Sequence, residues 1–221
     1  MPARSAIVHL ADYLRTEKRM LYIQEMLGTA VFAITGVLAI QKVGVDLFGA
    51  IVLGIITAIG GGTIRDLLLD LPIFWIADFN YIWVALFAAL LAFFLTQKLQ
   101  QRYRLLLYLD GFAAALFGLV ATEKVVGLEL AAPLAVMMGL LTSIGGGIAR
   151  DVLAGRASLL MSREIYATPI LLGCTLYVVL RDTFPSIRIA GWIALIFTSG
   201  LRFLAIYKDL QMPVIFTTRR D

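Results

Sequence analysis

A ten-residue sequence occurs twice in this chain, and each copy lies inside a long apolar stretch. The copies, TAIGGGTIRD from residue 57 and TSIGGGIARD from residue 142, are identical at seven of ten positions. Three consecutive glycines weaken a helix, because each costs roughly 1 kcal/mol relative to alanine. The Arg-Asp pair that follows places charge where hydrocarbon would otherwise lie. Charge within a membrane segment generally marks a functional site, so the duplication predicts a pathway through a bilayer.

Composition supports a membrane assignment and excludes several classes of function. The chain has 221 residues, of which 61% are hydrophobic and 15% are charged, and its mean hydropathy is +0.90. A soluble domain of this size could not bury so much apolar surface. The net charge of +4 comes without a basic cluster interleaved with aromatic residues, so no nucleic-acid partner is expected.

Residues typical of enzymes and of cofactor sites are scarce. A single cysteine, Cys174, and a single histidine, His9, supply neither a disulfide framework nor a metal cluster. The glycine triplets lack the remaining residues of a dinucleotide fingerprint or of a phosphate-binding loop. We therefore predict no enzyme activity, no catalytic residue, no bound metal and no cofactor.

Seven apolar runs predict seven membrane-spanning helices in one all-α bundle. Each run approaches or exceeds the ~20 residues that cross a ~30 Å hydrocarbon core. The connections are short and polar, so no separate soluble domain is expected. Residues 1–20 form a leader, either an interfacial helix or a frayed polar segment, and residues 208–221 form a short C-terminal tail. The runs cover roughly residues 21–40, 44–68, 78–97, 105–122, 130–153, 164–181 and 188–207.

The duplication extends well beyond the ten-residue motif. An offset of 85 residues relates the motifs and also pairs Tyr81 with Tyr166, while an offset of 82 pairs Gly36 with Gly118. Because each unit has an odd number of spans, the second must enter the membrane in the opposite orientation, as in the inverted repeats of transporters and some channels. The predicted divisions are residues 21–104, residues 105–187 and an extra span at residues 188–207.

The glycine triplets are predicted to kink or unwind the second and fifth spans. Broken backbone in a membrane is tolerated where it is buried in protein or lines a watery cavity. Its freed carbonyls are good cation ligands. Thr57 and Thr142, one turn before the glycines, could add hydroxyl ligands to such a path. The triplets are Gly60, Gly61 and Gly62 in the second span, and Gly145, Gly146 and Gly147 in the fifth.

The charged residues of the motif admit two interpretations. Asp66 and Asp151 are predicted to begin a continuing half-helix, where a carboxylate suits the positive end of the helix dipole. Arg65 and Arg150 either pair with these aspartates as a structural ion pair or stand in the path as a gate. The packing alternative treats the glycines only as close-contact residues between helices.

Other residues carry weaker predictions. Lys42 and Lys124 are either interfacial side chains or charges at a pore mouth. Glu25 is either a headgroup-level charge or a carboxylate that couples transport to an ion. Gly36, Gly44 and Gly54 are expected to allow close helix packing.

Two three-span units with a GGG-x-x-Arg-Asp signature, followed by a seventh span, resemble the TRIC family of trimeric intracellular cation channels. The resemblance runs from about Leu21 to Tyr207, and the short tail places the chain with the prokaryotic branch. It implies a homotrimer in the inner membrane, with a pore in each protomer bounded by the kinked second and fifth spans. It also implies conduction of K⁺ and Na⁺, with basic residues near the constriction contributing to gating.

The resemblance leaves two functions open. A passive K⁺-permeable channel is favoured, but the repeat unit is also catalogued as a glycine transporter domain, so secondary transport of a small zwitterion is the alternative. The expected partners are membrane lipids, monovalent cations and other copies of the chain, with bound lipid as a further candidate. Animal members have a Lys-Glu-Val motif, whereas this chain has Glu123, Lys124 and Val125 in a different order, so no lipid-gating role is inferred.

Overall fold

The protein is described by a computed structural model that covers residues 2–41, 43–96, 103–162, 164–183 and 187–212. These residues form eight α-helices and one short 3₁₀ helix, with a single isolated β-bridge between Glu164 and Gln211. The α-helices are α1 (Pro2–Ala39), α2 (Leu47–Leu68), α3 (Phe74–Ala77), α4 (Asn80–Thr96), α5 (Tyr103–Gly127), α6 (Ala132–Leu153), α7 (Ala167–Thr183) and α8 (Ile187–Tyr207), and the 3₁₀ helix is Leu159–Met161. The all-helical prediction is confirmed.

Five helices are long and apolar enough to cross a membrane by length and composition. They are α1 from Arg19 onwards, α2, α5, α6 and α8 from Ile189 onwards. Helices α4 and α7 are apolar but have only 17 residues each, or about 26 Å at the α-helical rise. The predicted count of seven spans therefore depends on these two shorter helices.

The first helix is longer than the first predicted span. Helix α1 has 38 residues, or about 57 Å, which is nearly twice the thickness of a ~30 Å hydrocarbon core. The backbone of the predicted leader is helical and continues into the first span. The bounds of α1 thus do not separate a leader near residue 20 from the first span. An interfacial location of residues 1–20 stays a prediction.

Helix α5 lies at the centre of the bundle and is the most enclosed of the spanning helices. Small residues make this possible, because they allow neighbouring helices to approach closely. Its buried face includes Gly111, Ala113, Ala114, Gly118 and Ala121. Helix α4 instead exposes Trp83, Phe87, Leu91 and Phe94 along its outer face, where lipid or another copy of the chain would cover them.

Of the two predicted effects of the glycine triplets, unwinding is wrong, and a kink stays a prediction. Helices α2 and α6 each continue for 22 residues through their triplets without interruption. In hydrocarbon, each unsatisfied backbone group costs roughly several kcal/mol. This cost favours helices that keep their backbone hydrogen bonds through the glycines. The carbonyls of an uninterrupted helix are not freed as cation ligands. A kink at the glycines would therefore be a bend within a continuous helix.

Three glycines expected to allow close packing divide into two groups. A Cβ at Gly36 would lie 2.7 Å from Gly54 Cα, and one at Gly54 would lie 2.8 Å from Ala89 Cβ. Both distances are too short for a side chain, so packing is confirmed there. Gly44 has a φ of +73° and nothing within 4 Å of a Cβ position. It serves the turn between α1 and α2, because few residues other than glycine adopt this backbone conformation.

Candidate ion pathway

The glycine triplets form the contact between α2 and α6. A Cβ on Gly61 would overlap the carbonyl oxygen of Thr142, and a Cβ on Gly146 would overlap the carbonyl oxygen of Thr57. Each middle glycine thus faces the threonine of the opposite motif. Gly60 and Gly145 are less crowded, with the nearest atoms 3.7 Å and 3.2 Å from their Cβ positions. The triplets provide close packing between the two duplicated helices.

The two threonines are buried at the same contact. The Thr57 hydroxyl donates to Leu53 O at 2.7 Å, and the Thr142 hydroxyl donates to Met138 O at 2.6 Å. Their hydrogens are therefore engaged within their own helices, as is common for threonine in membrane helices. The structure brings both residues to the helix contact, while their role as cation ligands stays a prediction.

The last glycine of each triplet faces an aromatic residue. A Cβ at Gly62 would lie 2.6 Å from the Phe74 ring, and one at Gly147 would lie 3.1 Å from the Tyr166 hydroxyl. Glycine at these positions makes room for the segments that follow α2 and α6. Those segments return to the charged residues of the motif.

The first charged cluster contains Arg65, Asp66 and Lys124. Arg65 Nε donates to Asp66 Oδ1 at 2.8 Å, and Lys124 Nζ lies 3.0 Å from the same oxygen. Asp66 Oδ2 accepts from the backbone N–H of Phe74 at 3.0 Å. Arg65 and Asp66 are fully buried, whereas 33% of the Lys124 side chain is exposed. Lys124 therefore connects a buried ion pair with the surface of a cavity.

The second charged cluster contains Arg150, Asp151 and Asp110. Arg150 donates to both oxygens of Asp151, at 3.0 and 3.2 Å, and also to Asp110 Oδ1. A further bond of 3.2 Å joins Arg150 to Thr35 Oγ1, and Asp151 Oδ2 accepts from Leu159 N at 3.1 Å. The ionised groups of this cluster are almost completely buried. These contacts fit the structural ion-pair interpretation of both arginines, and their role in conduction remains a prediction.

The aspartates lie at the opposite end of a helix from the one predicted. Asp66 and Asp151 are each in the last turn of an uninterrupted helix, where the helix dipole is negative and disfavours a carboxylate. The adjacent arginines and the N–H groups of Phe74 and Leu159 stabilise the charges instead. The prediction of half-helix N-termini is therefore wrong, because neither helix restarts after its glycines.

The helix ends themselves are duplicated. Leu71 N donates to Asp66 O at 2.9 Å, and Arg156 N donates to Asp151 O at 2.8 Å. The turns contain Asp70 and Gly155, with φ values of 53° and 64°, which are separated by the same offset of 85 residues. Such left-handed residues commonly end helices. The duplication therefore includes the local geometry that holds each aspartate.

Asp110 is a residue of the second charged cluster that was not among the predicted site residues. It lies within the fourth apolar run, so the principle that marked the motif charges could also have found it. Asp110 is completely buried, and its Oδ2 atom has no hydrogen-bond partner among the described residues. It gives the second cluster one more carboxylate than arginine.

The two clusters lie at opposite ends of α5. Asp110 contacts the last turn of α6, and Lys124 contacts the last turn of α2. These two residues are separated by 14 positions on α5, or about 21 Å along its axis. The C-terminal ends of α2 and α6 therefore point towards opposite ends of the central helix.

A cavity lies beside each end of α5. The first has a volume of about 360 Å³ and the second about 350 Å³. Leu107 lines the second cavity and Lys124 lines the first, 17 positions apart on α5, or about 26 Å. The first is lined by Leu21, Tyr22, Glu25, Phe74, Asp78, Tyr81, Val120 and Lys124; the second by Leu107, Glu164, Arg202, Ala205, Ile206, Asp209, Leu210 and Gln211.

Carboxylates and tyrosines face the first cavity together. Glu25 accepts a hydrogen bond from Tyr81, and Asp78 accepts one from Tyr22 at 2.8 Å. Glu25 thus lies at the first cavity. Its two possible roles, a headgroup-level charge or a carboxylate that couples transport to an ion, both stay predictions. Lys42, the other lysine predicted near a pore mouth, lies outside the described residues.

These features define an α-helical, multi-pass membrane protein. Two equivalent helix ends, each with a buried Arg-Asp pair, contact opposite ends of its central helix α5. The family model described as glycine transporter matches the chain twice, over residues 22–97 and 107–182. The UPF0126 inner membrane protein YadS of Escherichia coli is 37% identical over 197 residues, which cover 88% of this chain and 95% of that protein.

Two solved structures share the fold over nearly their whole length. The TRIC trimeric intracellular cation channel orthologue from Rhodobacter sphaeroides is 32% identical, with a TM-score of 0.83 and coverage of 86% of this chain and 99% of that chain. A structure described as the basis for conductance through TRIC cation channels is 30% identical, with a TM-score of 0.79 and coverage of 90% and 97%. This chain belongs to the TRIC family, among its prokaryotic members, and is an integral protein of the bacterial inner membrane.

Proposed function

We propose that this protein is a passive, K⁺-permeable channel for monovalent cations, with a pore in each protomer of a homotrimer. The observation that carries the proposal is the pair of cavities at opposite ends of α5. The first cavity is lined by Lys124 of the first charged cluster, and the second lies next to Arg202, which packs on the residue after Asp110 of the second cluster. A channel needs a hydrated route with weak sites near both ends. The relatives described as TRIC cation channels support the same function.

Both acidic and basic groups lie along this route. Asp110 is a buried carboxylate, and Glu25 and Asp78 face the first cavity. Arg65 and Arg150 belong to the two charged clusters, and Lys124 joins the first cluster to the first cavity. The carboxylates attract a cation and the basic groups repel it, so together they keep sites along the route weak enough for an ion to leave.

We also propose seven spans arranged as two inverted three-helix repeats and one extra helix. The two family-model matches cover the two units, and helices α4 and α7 supply their shorter third spans. The opposite directions of the C-terminal ends of α2 and α6 along α5 support the inversion. Any bend at the glycine triplets would occur within continuous helices.

Transport of a small zwitterion such as glycine is the competing function. Its support is the description of the family model that matches both halves of the chain. A transporter must close around its substrate and couple its movement to an ion, and Glu25 at the first cavity is the residue predicted for coupling. A channel needs neither step.

Purified protein distinguishes the two functions. In planar bilayers with KCl, a channel gives single-channel current steps at zero coupling-ion gradient. In liposomes, a transporter gives saturable uptake of radiolabelled glycine that depends on an imposed Na⁺ or H⁺ gradient. Current steps without glycine uptake support the proposal, and glycine uptake without current steps would overturn it. Native mass spectrometry in mild detergent tests the trimer.

A further inference from the structure

A buried arginine on α8, outside both predicted repeats, lies between the second cavity and the second charged cluster. Only 1% of the Arg202 side chain is exposed, although it lines the cavity. Its stem packs on Gly111, where a Cβ would lie 2.5 Å from Arg202 Cγ, and Gly111 directly follows Asp110. Its guanidinium carbon lies 4.9 Å from the centre of the Tyr166 ring.

Tyr166 in turn faces the motif itself. Its hydroxyl lies 3.1 Å from the Cβ position of Gly147, and Asp110 Oδ1 and Arg150 Nη2 lie 3.5 and 3.6 Å from the same position. Arg202 and Tyr166 thus lie between the second cavity and the cluster that contains Asp110. The positive charge of Arg202 opposes the entry of a cation from this cavity.

The bonds that hold Arg202 in place are incomplete. Nη1 donates to Ile165 O at 2.9 Å, and Nη2 lies 3.5 Å from Glu164 Oε2. Nε and Nη2 have no hydrogen-bond acceptor among the described residues. The Nε–Nη2 edge of a guanidinium can donate two parallel hydrogen bonds to one carboxylate. With two donors unused beside a cavity, Arg202 can bind a further acceptor.

The first cavity has a different arrangement. Lys124 reaches directly from this cavity to Asp66, and no arginine is among the described residues that line it. The corresponding tyrosine, Tyr81, bonds to Glu25 instead of lying beneath a guanidinium. Helix α8 has no counterpart in the first repeat, so it adds a barrier at one end of the route only.

We propose that Arg202 is a gating residue, and that its contacts with Glu164, Ile165 and Tyr166 close the route at the second cavity. Movement of the guanidinium away from the Tyr166 ring opens the route to Asp110. This inference rests on the proposed channel function. It assigns control to a residue of the unrepeated helix and not to the duplicated motif.

Single-channel recording of reconstituted protein tests the assignment. The variants Arg202→Gln and Glu164→Gln each weaken the closing contacts, and Arg104→Gln is the matched control. Arg104 forms an ion pair of 3.2 Å with Asp209 at the same end of the protein, with 66% and 73% of the two side chains exposed. The ratio of open to closed time should rise about tenfold in Arg202→Gln, which loses the charged hydrogen bond to Ile165 O. It should rise about two- to fivefold in Glu164→Gln, which loses the ion pair with Arg202. The control variant should leave this ratio nearly unchanged, since exposed ion pairs contribute little.

The outcomes separate the gate from the channel itself. If the wild type conducts and the open-to-closed ratio changes equally in the two test variants and the control, or in none of them, the gate assignment is wrong while the channel function stands. If Glu164→Gln lowers current amplitude without changing the ratio, Glu164 attracts cations and does not hold a gate. If Arg202→Gln fails to assemble, Glu164→Gln decides, because Glu164 is partly exposed. Absence of current in the wild type and all variants would overturn both proposals.

Discussion

Alanine at two adjacent glycines should have opposite effects on stability. A Cβ at Gly61 would lie about 1 Å inside the 3.0 Å limit that real Cβ contacts respect, and the obstructing atom is the backbone oxygen of Thr142. Backbone cannot rotate away as a side chain can, so α2 and α6 must separate. Overpacking of this kind costs about 1–3 kcal/mol. At Gly60 the nearest atom is 3.7 Å away, so alanine should gain up to about 1 kcal/mol from its higher helix propensity.

Unfolding by SDS in mixed micelles, measured on purified Gly60→Ala and Gly61→Ala, gives the two changes in unfolding free energy. The same preparations should differ in K⁺ flux, because separation of α2 from α6 displaces both charged clusters. The two substitutions remove the same type of residue, one position apart, and so differ mainly in what the new methyl group meets. Equal losses of stability would show that the triplet is needed for backbone flexibility and would refute the packing argument.

Two further predictions concern the charged clusters. Arg150→Gln should lower the unfolding free energy by about 3–5 kcal/mol, because it leaves the buried carboxylates of Asp110 and Asp151 without their cationic partner; Arg104→Gln is its exposed control, and equal losses in the same SDS titration would contradict the prediction. Lys124→Gln should leave the trimer intact, since Asp66 keeps its other partners, and should raise K⁺ conductance at low salt. That gain should shrink as KCl rises from 0.01 M to 1 M, because the screening length falls from about 30 Å to about 3 Å; a change independent of salt would exclude an electrostatic role for Lys124.

The class of fold and the location of the clusters could be predicted from local sequence. Long apolar runs require helices in a bilayer, because only internally bonded backbone is stable there. The repeated Arg-Asp pairs mark the buried charges, since charge in such a run is costly unless it is paired or has a function. The structure contains Arg65–Asp66 and Arg150–Asp151 as buried pairs, as one of the two interpretations predicted.

The partners of those pairs could not be predicted, because they come from distant parts of the chain. Lys124 reaches Asp66 across 58 positions, and Asp110 reaches Arg150 across 40. Which face of α5 meets α2 or α6 depends on the packing of all the helices together. The presence of Lys124 and Asp110 in the sequence carries no information about that register.

The glycine triplets show most clearly what sequence and structure each determined. Sequence alone established that two helices carry three glycines at equivalent positions, but glycine both weakens a helix and permits close contact. The choice between these effects depends on what the missing Cβ would meet. At Gly61 and Gly146 it would meet the backbone of the opposite helix, whereas at Gly44 it would meet nothing and the residue serves a turn. Tertiary packing decides such cases, since the atoms that fill the space belong to segments far away in the chain.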